Sequence, residues 1–438
     1  MVDSWREIVA AAERHYEPGV FTTFVAYEWT SMPEDQNLHR NVVYRGARAP
    51  ERPFSSLDSG NPEDLWDALD AQREAGMDAM SIPHNGNVSN GKMYDSVSFA
   101  GEPIDEAYAR QRMRNEPVSE ILQVKGTSET HPLLSPEDEF ADFEIMNAML
   151  SVSGNYSEPR GSYARDALRR GMELSHAEGF NPYRFGVIGS SDSHNASSSV
   201  EEDNHHGKLP IMDGTAGLRL GEALLLPEQY QRQRRWGSAG LAAVWAEENT
   251  RESIFDAMCR RETYATSGPR IQLRFFGGWE YADDLVEEPD VLQQAYDGGV
   301  PMGGELSNAP ADGAPRFALW AARDPLSGNL DRLQVIKGWV DGEGVSHERV
   351  YDVAGSGGRT PVSDGRLPPV GNTVDVASAS YTNTIGAEQL SVVWQDPDFD
   401  PTQEAFYYAR AIEIPTPRWS TYDAKKLGVE PPQPTTLQ

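Results

Sequence analysis

Up to about residue 270, short apolar runs alternate with stretches of helical period, and this alternation restricts the fold more tightly than any other feature of the chain. Runs at 21–28, 41–45, 78–83, 119–124 and 185–189 read as strands, and 62–75, 136–149, 163–174 and 251–261 read as helices. A strand–helix repeat covers both faces of its sheet, so it predicts a largely parallel sheet or a barrel. Asn61-Pro62 and Ser135-Pro136 each set a capping side chain before a first-turn proline, with acids following. Near the start, Ser4 and Glu7 have capping-box spacing, and Trp5, Ile8, Val9 and Ala12 share one helical stripe.

The texture changes after about residue 270. Pro and Gly cluster between 287 and 315, helical period disappears, and strands are expected at 316–322, 332–340, 349–353, 390–394 and 406–414. The expected organisation is an α/β unit over 1–270 followed by a β-rich, sandwich-like domain or extension over 271–438. A chain of 438 residues is too long for one small core, which agrees with that division. The acidic stretch 201–217, with paired histidines and glycines, reads as a long surface loop.

Charge narrows the partners. A formal net charge of −30 repels nucleic acid and anionic lipid. No apolar run approaches the ~18 residues of a membrane span. The expected ligand is therefore a small molecule. Cys259 has no second cysteine to pair with and reads as a small buried apolar residue. No signal peptide is read at the start, and the compartment stays open, the periplasm or exterior included if a signal lies upstream.

Histidines and acids gather where the apolar runs stop. Asp192 and His194 follow the run 185–189, and period-two alternation aims both to one side. In a parallel barrel the carboxyl ends of strands converge on the active face. An Asp-x-His pair arises often by chance, and His84, just beyond the run ending at Pro83, reads by itself as a structural histidine. Glu28 ends the run 21–28, and His39 opens the next; taken singly they are a surface acid and a loop histidine. Recurrence separates the readings: Glu28, His84, Asp192 and His194 all occupy predicted strand ends, a placement unrelated surface residues have no reason to share. Together they read as ligands of a divalent cation.

The other histidines divide less sharply. His131 follows the run 119–124 after a short polar loop, as a ligand, a proton donor or a structural residue, and Glu120 inside that run supports a ligand or Lys125. His205 and His206 read as solvated. No Gly-rich phosphate loop precedes a helix and no G-x-S-x-G elbow occurs. A two-carboxylate glycosidase finds no distinguished pair among 68 acids.

The stretches 21–31 (FTTFVAYEWTS), Leu38-His39-Arg40-Asn41, Pro83-His84-Asn85-Gly86-Asn87, 125–132 (KGTSETHP) and Ser191-Asp192-Ser193-His194 resemble the DUF3604 family, and the resemblance runs on through 264–268 to 414–419. That family is similar to the PHP (polymerase and histidinol phosphatase) metal-dependent phosphoesterases. The resemblance implies an incomplete, distorted (β/α)7 TIM-like barrel with two or three Zn, Mn or Fe ions at its mouth. Glu28 matches a bridging carboxylate, His39 and His84 single histidine ligands, and Asp192 with His194 the closing pair; the His131 match is particular to the family. PHP proteins open with a His-x-His strand and soon add an Asp-His motif. Neither is present, since the first 20 residues hold only His15. The resemblance therefore implies a fragment, an internal start or a lost activity.

The implied chemistry is hydrolysis of an anionic ester, a phosphoester first. The ions polarise the ester oxygen and lower the pKa of a bridging water. His131 is the expected proton donor to the leaving oxygen, and Arg40 and Lys125 hold the anionic group. Two rivals stay open: a metal-dependent hydrolase of another ester or of an amide, and a non-catalytic binding module on a degenerate barrel.

Overall fold

A computed structural model of the chain describes residues 2–150, 155–194, 200–221, 236–310, 313–362 and 365–438. It is a mixed α/β structure of several small sheets. The first half contains α1 (Val2–Arg14), β1 (Ala26–Trp29), β2 (Arg40–Tyr44), α2 (Pro62–Glu74), β3 (Ala79–Pro83), α3 (Glu106–Asn115), β4 (Val118–Gln123) and β5 (Gly126–Thr127). It continues with α4 (Ala164–Glu178), β6 (Gly186–Gly189), the short α5 (Pro210–Asp213) and α6 (Ala216–Arg219), then β7 (Leu241–Val244), α7 (Arg251–Cys259) and β8 (Thr263–Thr266).

Strand directions here are mixed. β1, β2 and β3 form an antiparallel meander, and β4 pairs parallel with β6. Side-chain contacts join these ladders. Ser81 Oγ donates to Asn115 O (3.2 Å) and Ser119 Oγ to Pro83 O (3.3 Å), so β3 and β4 run the same way. Thr263 Oγ1 donates to Val187 O (2.9 Å), and a Cβ on Gly189 would lie 3.0 Å from Thr266 O, so β6 and β8 also run together. The array thus reads β1-β2-β3-β4-β6-β8-β7, with β3, β4, β6 and β8 parallel and antiparallel β2 and β7 flanking them. A largely parallel sheet was the expectation; the described strands keep only a parallel centre, because the hairpin-like β1–β2–β3 order leaves no crossover helix between β1 and β2. They do not close into a barrel.

The array has two buried faces. On one, Val25, Trp29, Val42, Tyr44 and Ala79 pack against Trp5 and Ala12 of α1 and Leu65 and Leu69 of α2. On the other, Phe24, Val43, Met80, Ile82, Val118, Ile188 and Val244 surround Phe255 and Met258 of α7. This second cluster gathers residues from five strands and forms the floor under the strand ends.

Local expectations divide. Asn61 caps α2, its side chain accepting from Glu63 N at 2.9 Å. Ser4 lies inside α1, which already begins at Val2, so the capping box is not formed. No helix covers 136–149: Thr127 N donates to Glu144 O (3.1 Å) and Ser157 N to Asn147 O (2.7 Å), so backbone groups that a helix needs are used elsewhere. The stretch 201–217 carries short helices rather than an open loop, and Cys259 is exposed at the end of α7 rather than buried.

The second half is antiparallel throughout its described ladders. It contains β9 (Gln272–Gly278), α8 (Val291–Gly298), β10 (Gly299–Pro301), β11 (Arg316–Ala322), β12 (Leu330–Val340), β13 (Ser346–Gly355), β14 (Gln389–Gln395), β15 (Ala405–Glu413) and α9 (Trp419–Leu427). Sheets β10-β9-β11-β14 and β13-β12-β15 face each other across Leu273, Phe275, Phe317, Leu319, Leu333 and Val335, a sandwich core. The outer face of the second sheet meets α4 through charge. Arg165 reaches Glu129, Asp138 and Glu348, and Arg410 reaches Asp138 at 2.7 Å. Groups buried this deeply are tolerated because each cation has several acids.

Candidate metal centre

Period-two alternation decides which strand residues meet at the carboxyl edge of the array. In β1, Val25 and Trp29 face the helices while Phe24 faces the inner cluster, so Glu28 faces inward with Phe24. In β3, Met80 and Ile82 face inward, and His84, two residues on, follows them. β2 runs the opposite way, so its entrance, where His39 stands, lies at the same edge as the ends of β1 and β3.

These three side chains meet. His39 Nδ1 lies 2.9 Å and His84 Nε2 3.1 Å from the same oxygen, Glu28 Oε1. The imidazole rings are edge-to-face at 5.6 Å. One donor atom from each of Glu28, His39 and His84 lies within 4.8 Å of the other two, the geometry of groups able to share one cation. Burial alone would raise the Glu28 pKa, but hydrogen bonds from His39 and His84 outweigh it and hold the carboxyl well below the usual range. Burial lowers the His39 pKa, against the pull of Glu28. The centre therefore presents a carboxylate and an imidazole biased toward its neutral form, as a metal requires.

The donor set fits a borderline divalent ion: two nitrogens and one oxygen, at a buried edge. Buried polar atoms around it support the fit. His84 Nδ1 and Asn85 Oδ1 have no hydrogen-bond partner among the described residues. Native interiors rarely leave such groups unpaired.

The turn after β3 is built for this position. Asn85 has φ +56°, and a Cβ on Gly86 would lie 2.7 Å from Ser162 O, so only glycine fits. Asn87 then bonds Lys125 O at 2.9 Å and Met146 O at 2.5 Å. Much of the Pro83–Asn87 motif thus fixes His84 and the Lys125 turn relative to each other.

The other expected residues sit elsewhere. Asp192, at φ +51°, directs Oδ2 to Lys125 Nζ and to Lys208 Nζ, the latter at 2.5 Å. Burial opposes its ionisation, but the two ammonium groups lower its pKa to about 2. His194 is half exposed, its Nδ1 2.9 Å from Asp192 O and 3.7 Å from Asp192 Oδ1. Neither joins the Glu28 cluster. Glu120 faces the same edge and bonds Ser190 Oγ.

Arg40 lies on the opposite face of β2 from His39. It shares the outer face of β2 with Val42 and Tyr44, and its Nε bonds Glu116 Oε1 at 2.9 Å, deep between sheet and helices. His131 is placed in a turn, its Nδ1 accepting from Leu133 N at 3.1 Å and its ring 5.3 Å from Tyr163. Nothing in those contacts directs it to the cluster. His205, expected in solvent, is buried and stacks on Trp419 at 4.8 Å, and burial lowers its pKa to about 3.

Sequence reasoning missed Lys208. Its stretch reads as an exposed acidic loop, and only the scarcity of lysine, six in the chain, distinguishes it. A cleft of about 1150 Å³ opens between the two halves, lined by Glu129, Arg165, Tyr408, Arg410, Trp279 and Phe399 among others, and the cluster residues lie outside it.

No helix of the described residues is long and apolar enough to cross a membrane. The model of one family, described as "Protein of unknown function (DUF3604)", matches residues 1–438. No match was found among curated proteins or solved structures.

Proposed function

We propose that this chain, which belongs to the DUF3604 family, is a metal-dependent hydrolase of small anionic esters, with phosphoesters first. The observation that carries the reading is the meeting of Glu28, His39 and His84 donor atoms within 4.8 Å of one another. A bound Zn, Mn or Fe ion at that place supplies Lewis acidity and a water of lowered pKa. The protein's own groups do the rest. Glu28, kept ionised by its histidines, holds the positive charge, and Lys125 at the neighbouring strand end attracts the anionic substrate.

The parallel centre of the array supports the PHP-type comparison. Its strand ends deliver His84, Lys125 and Asp192 to the edge that Glu28 of β1 also reaches, above an inner apolar cluster, as barrel strands deliver theirs. On this reading residues 1–270 form an open, incomplete (β/α)7-type barrel and residues 271–438 a β-sandwich that braces it. Asp192 and His194 are the residues a second ion would use, and binding it requires Asp192 to exchange its lysines for metal.

The test is hydrolysis of p-nitrophenyl phosphate by the full chain, with and without EDTA dialysis, across added Zn, Mn and Fe. Activity lost to the chelator, restored by one metal and absent in His84→Ala supports the reading. Undiminished turnover by metal-free protein sinks it.

A further inference from the structure

Two lysines converge on one carboxylate oxygen beside the metal cluster. Lys125 Nζ and Lys208 Nζ both bond Asp192 Oδ2, the first being almost wholly buried and the second 16% exposed at its side chain. Three charged groups at one point leave one positive charge without a partner. The other acid nearby does not supply it. Glu120 accepts from Ser190 Oγ and makes no ion pair with either lysine. His39 and His84 face Glu28, not the lysines. Burying an uncompensated ammonium beside another costs several kcal/mol, and a bound anion removes that cost.

Lys208 is held there by design of the chain around it. Asp213, fully buried, accepts from Lys208 N (2.9 Å), Leu209 N (2.8 Å) and Trp236 Nε1 (2.8 Å). Its preceding residue, Gly207, has φ +69°, and a Cβ there would lie 2.6 Å from the Asp213 carboxyl carbon. His194 N donates to Lys208 O at 3.0 Å, tying this segment to the Asp192 turn. Beside Lys125, the Gln123 carbonyl accepts from Lys125 N at 2.9 Å while its amino group, on a residue 1% exposed, has no partner among the described residues.

We propose that Lys208 and Lys125 form a receptor for one small oxyanion, inorganic phosphate or the phosphate of an ester, which displaces Asp192 from the lysines. As the substrate-holding part of the proposed hydrolase it rests on that reading, but the charge count stands without it. The chain is rich in Arg and holds only six Lys, two of which meet here. Compact ammonium groups fit a site that trades one anion for another better than rigid guanidinium forks do.

The experiment is calorimetric titration of the metal-free full chain with inorganic phosphate at constant ionic strength, repeated in competition with p-nitrophenyl phosphate. The wild type takes up one phosphate, and the ester competes for it. Lys208→Met weakens phosphate at least ~10-fold, the loss of one charge-assisted hydrogen bond, while Lys208→Arg retains most of the affinity. Asp192→Asn, which frees both lysines, tightens it several-fold, roughly as expected when a competing carboxylate is removed. A merely structural lysine pair predicts no tightening. No phosphate uptake by the wild type, or equal affinity in Lys208→Met and Asp192→Asn, overturns the proposal. Metal content measured on the same preparations keeps the two ideas apart, since phosphate binding by a chain that never takes up metal retains the receptor and rejects the hydrolase.

Discussion

Replacing Arg40 with Met separates a structural guanidinium from an anion-binding one. Arg40 bonds Glu116 Oε1 through Nε (2.9 Å) and Leu38 O through Nη1 (2.6 Å), and both charged side chains are only 2% exposed. Glu116 keeps two other partners, Trp66 Nε1 at 2.9 Å and Arg112 Nη2 at 3.2 Å. Breaking a buried pair costs about 3–5 kcal/mol, and the remaining partners place this loss near the lower end, about 3 kcal/mol. Glu116→Gln removes the acid from two buried arginines at once and costs more, about 5 kcal/mol on the same scale. Urea unfolding followed by tryptophan fluorescence measures both, since Trp29 and Trp66 border the pair. Phosphate affinity is the second readout and stays unchanged in Arg40→Met at concentrations of urea where the variant is folded. A variant as stable as wild type that binds phosphate at least ~10-fold more weakly would falsify the assignment and return Arg40 to the site.

Three further outcomes follow from the same packing. Gly126 has φ +87°, and a Cβ there would lie 2.5 Å from Glu144 O, so Gly126→Ala destabilises by about 1–3 kcal/mol and displaces Lys125; equal melting temperatures contradict this. Glu202, half-buried beside the Glu144–Arg418 pair and accepting from Trp419 N at 2.6 Å, has its pKa raised by desolvation of its carboxyl and by Glu144 to about 7 from 4.5. A raised acid contributes stability that is complete below pH 4.5 and is lost as pH rises through about 7. Wild type therefore melts lower at pH 8 than at pH 5 relative to Glu202→Gln, and parallel pH profiles for the two rule it out. Trp419, buried against Met146 and Trp236 and stacked on His205, costs about 3–5 kcal/mol as Trp419→Ala by thermal unfolding, and a loss below about 1 kcal/mol shows that α9 is not docked.

Much of the architecture is legible in the residue pattern. The strand expected at 316–322 is β11 to the residue, and 390–394 lies inside β14, because both are short apolar runs bounded by polar and turn-forming residues. Strand-end recurrence singled out Glu28 and His84, whose donor atoms the structure brings together with that of His39. Pairing is less legible: nothing local says that β2 runs backward between β1 and β3, yet that reversal is what brings His39 to the edge and turns Arg40 away from it. One residue of alternation separates the Glu28 cluster from a core ion pair. The segment 136–149 shows the opposite failure, where good helical spacing yields to long-range bonds with Thr127 and Ser157. Lys208 was hidden by its loop context, since its role comes from a buried Asp213 and a turn at Gly207.

The most direct measurement of the central claim is metal content by plasma mass spectrometry on the full chain loaded with Zn, Mn or Fe and freed of loose ions by gel filtration. The account predicts about one tightly held ion or more per wild-type chain, and loss of most of it in Glu28→Gln, His39→Ala and His84→Ala variants that keep the wild-type circular dichroism spectrum. Folded wild type that retains none of the three metals, or a His84→Ala variant that retains as much as wild type, contradicts it.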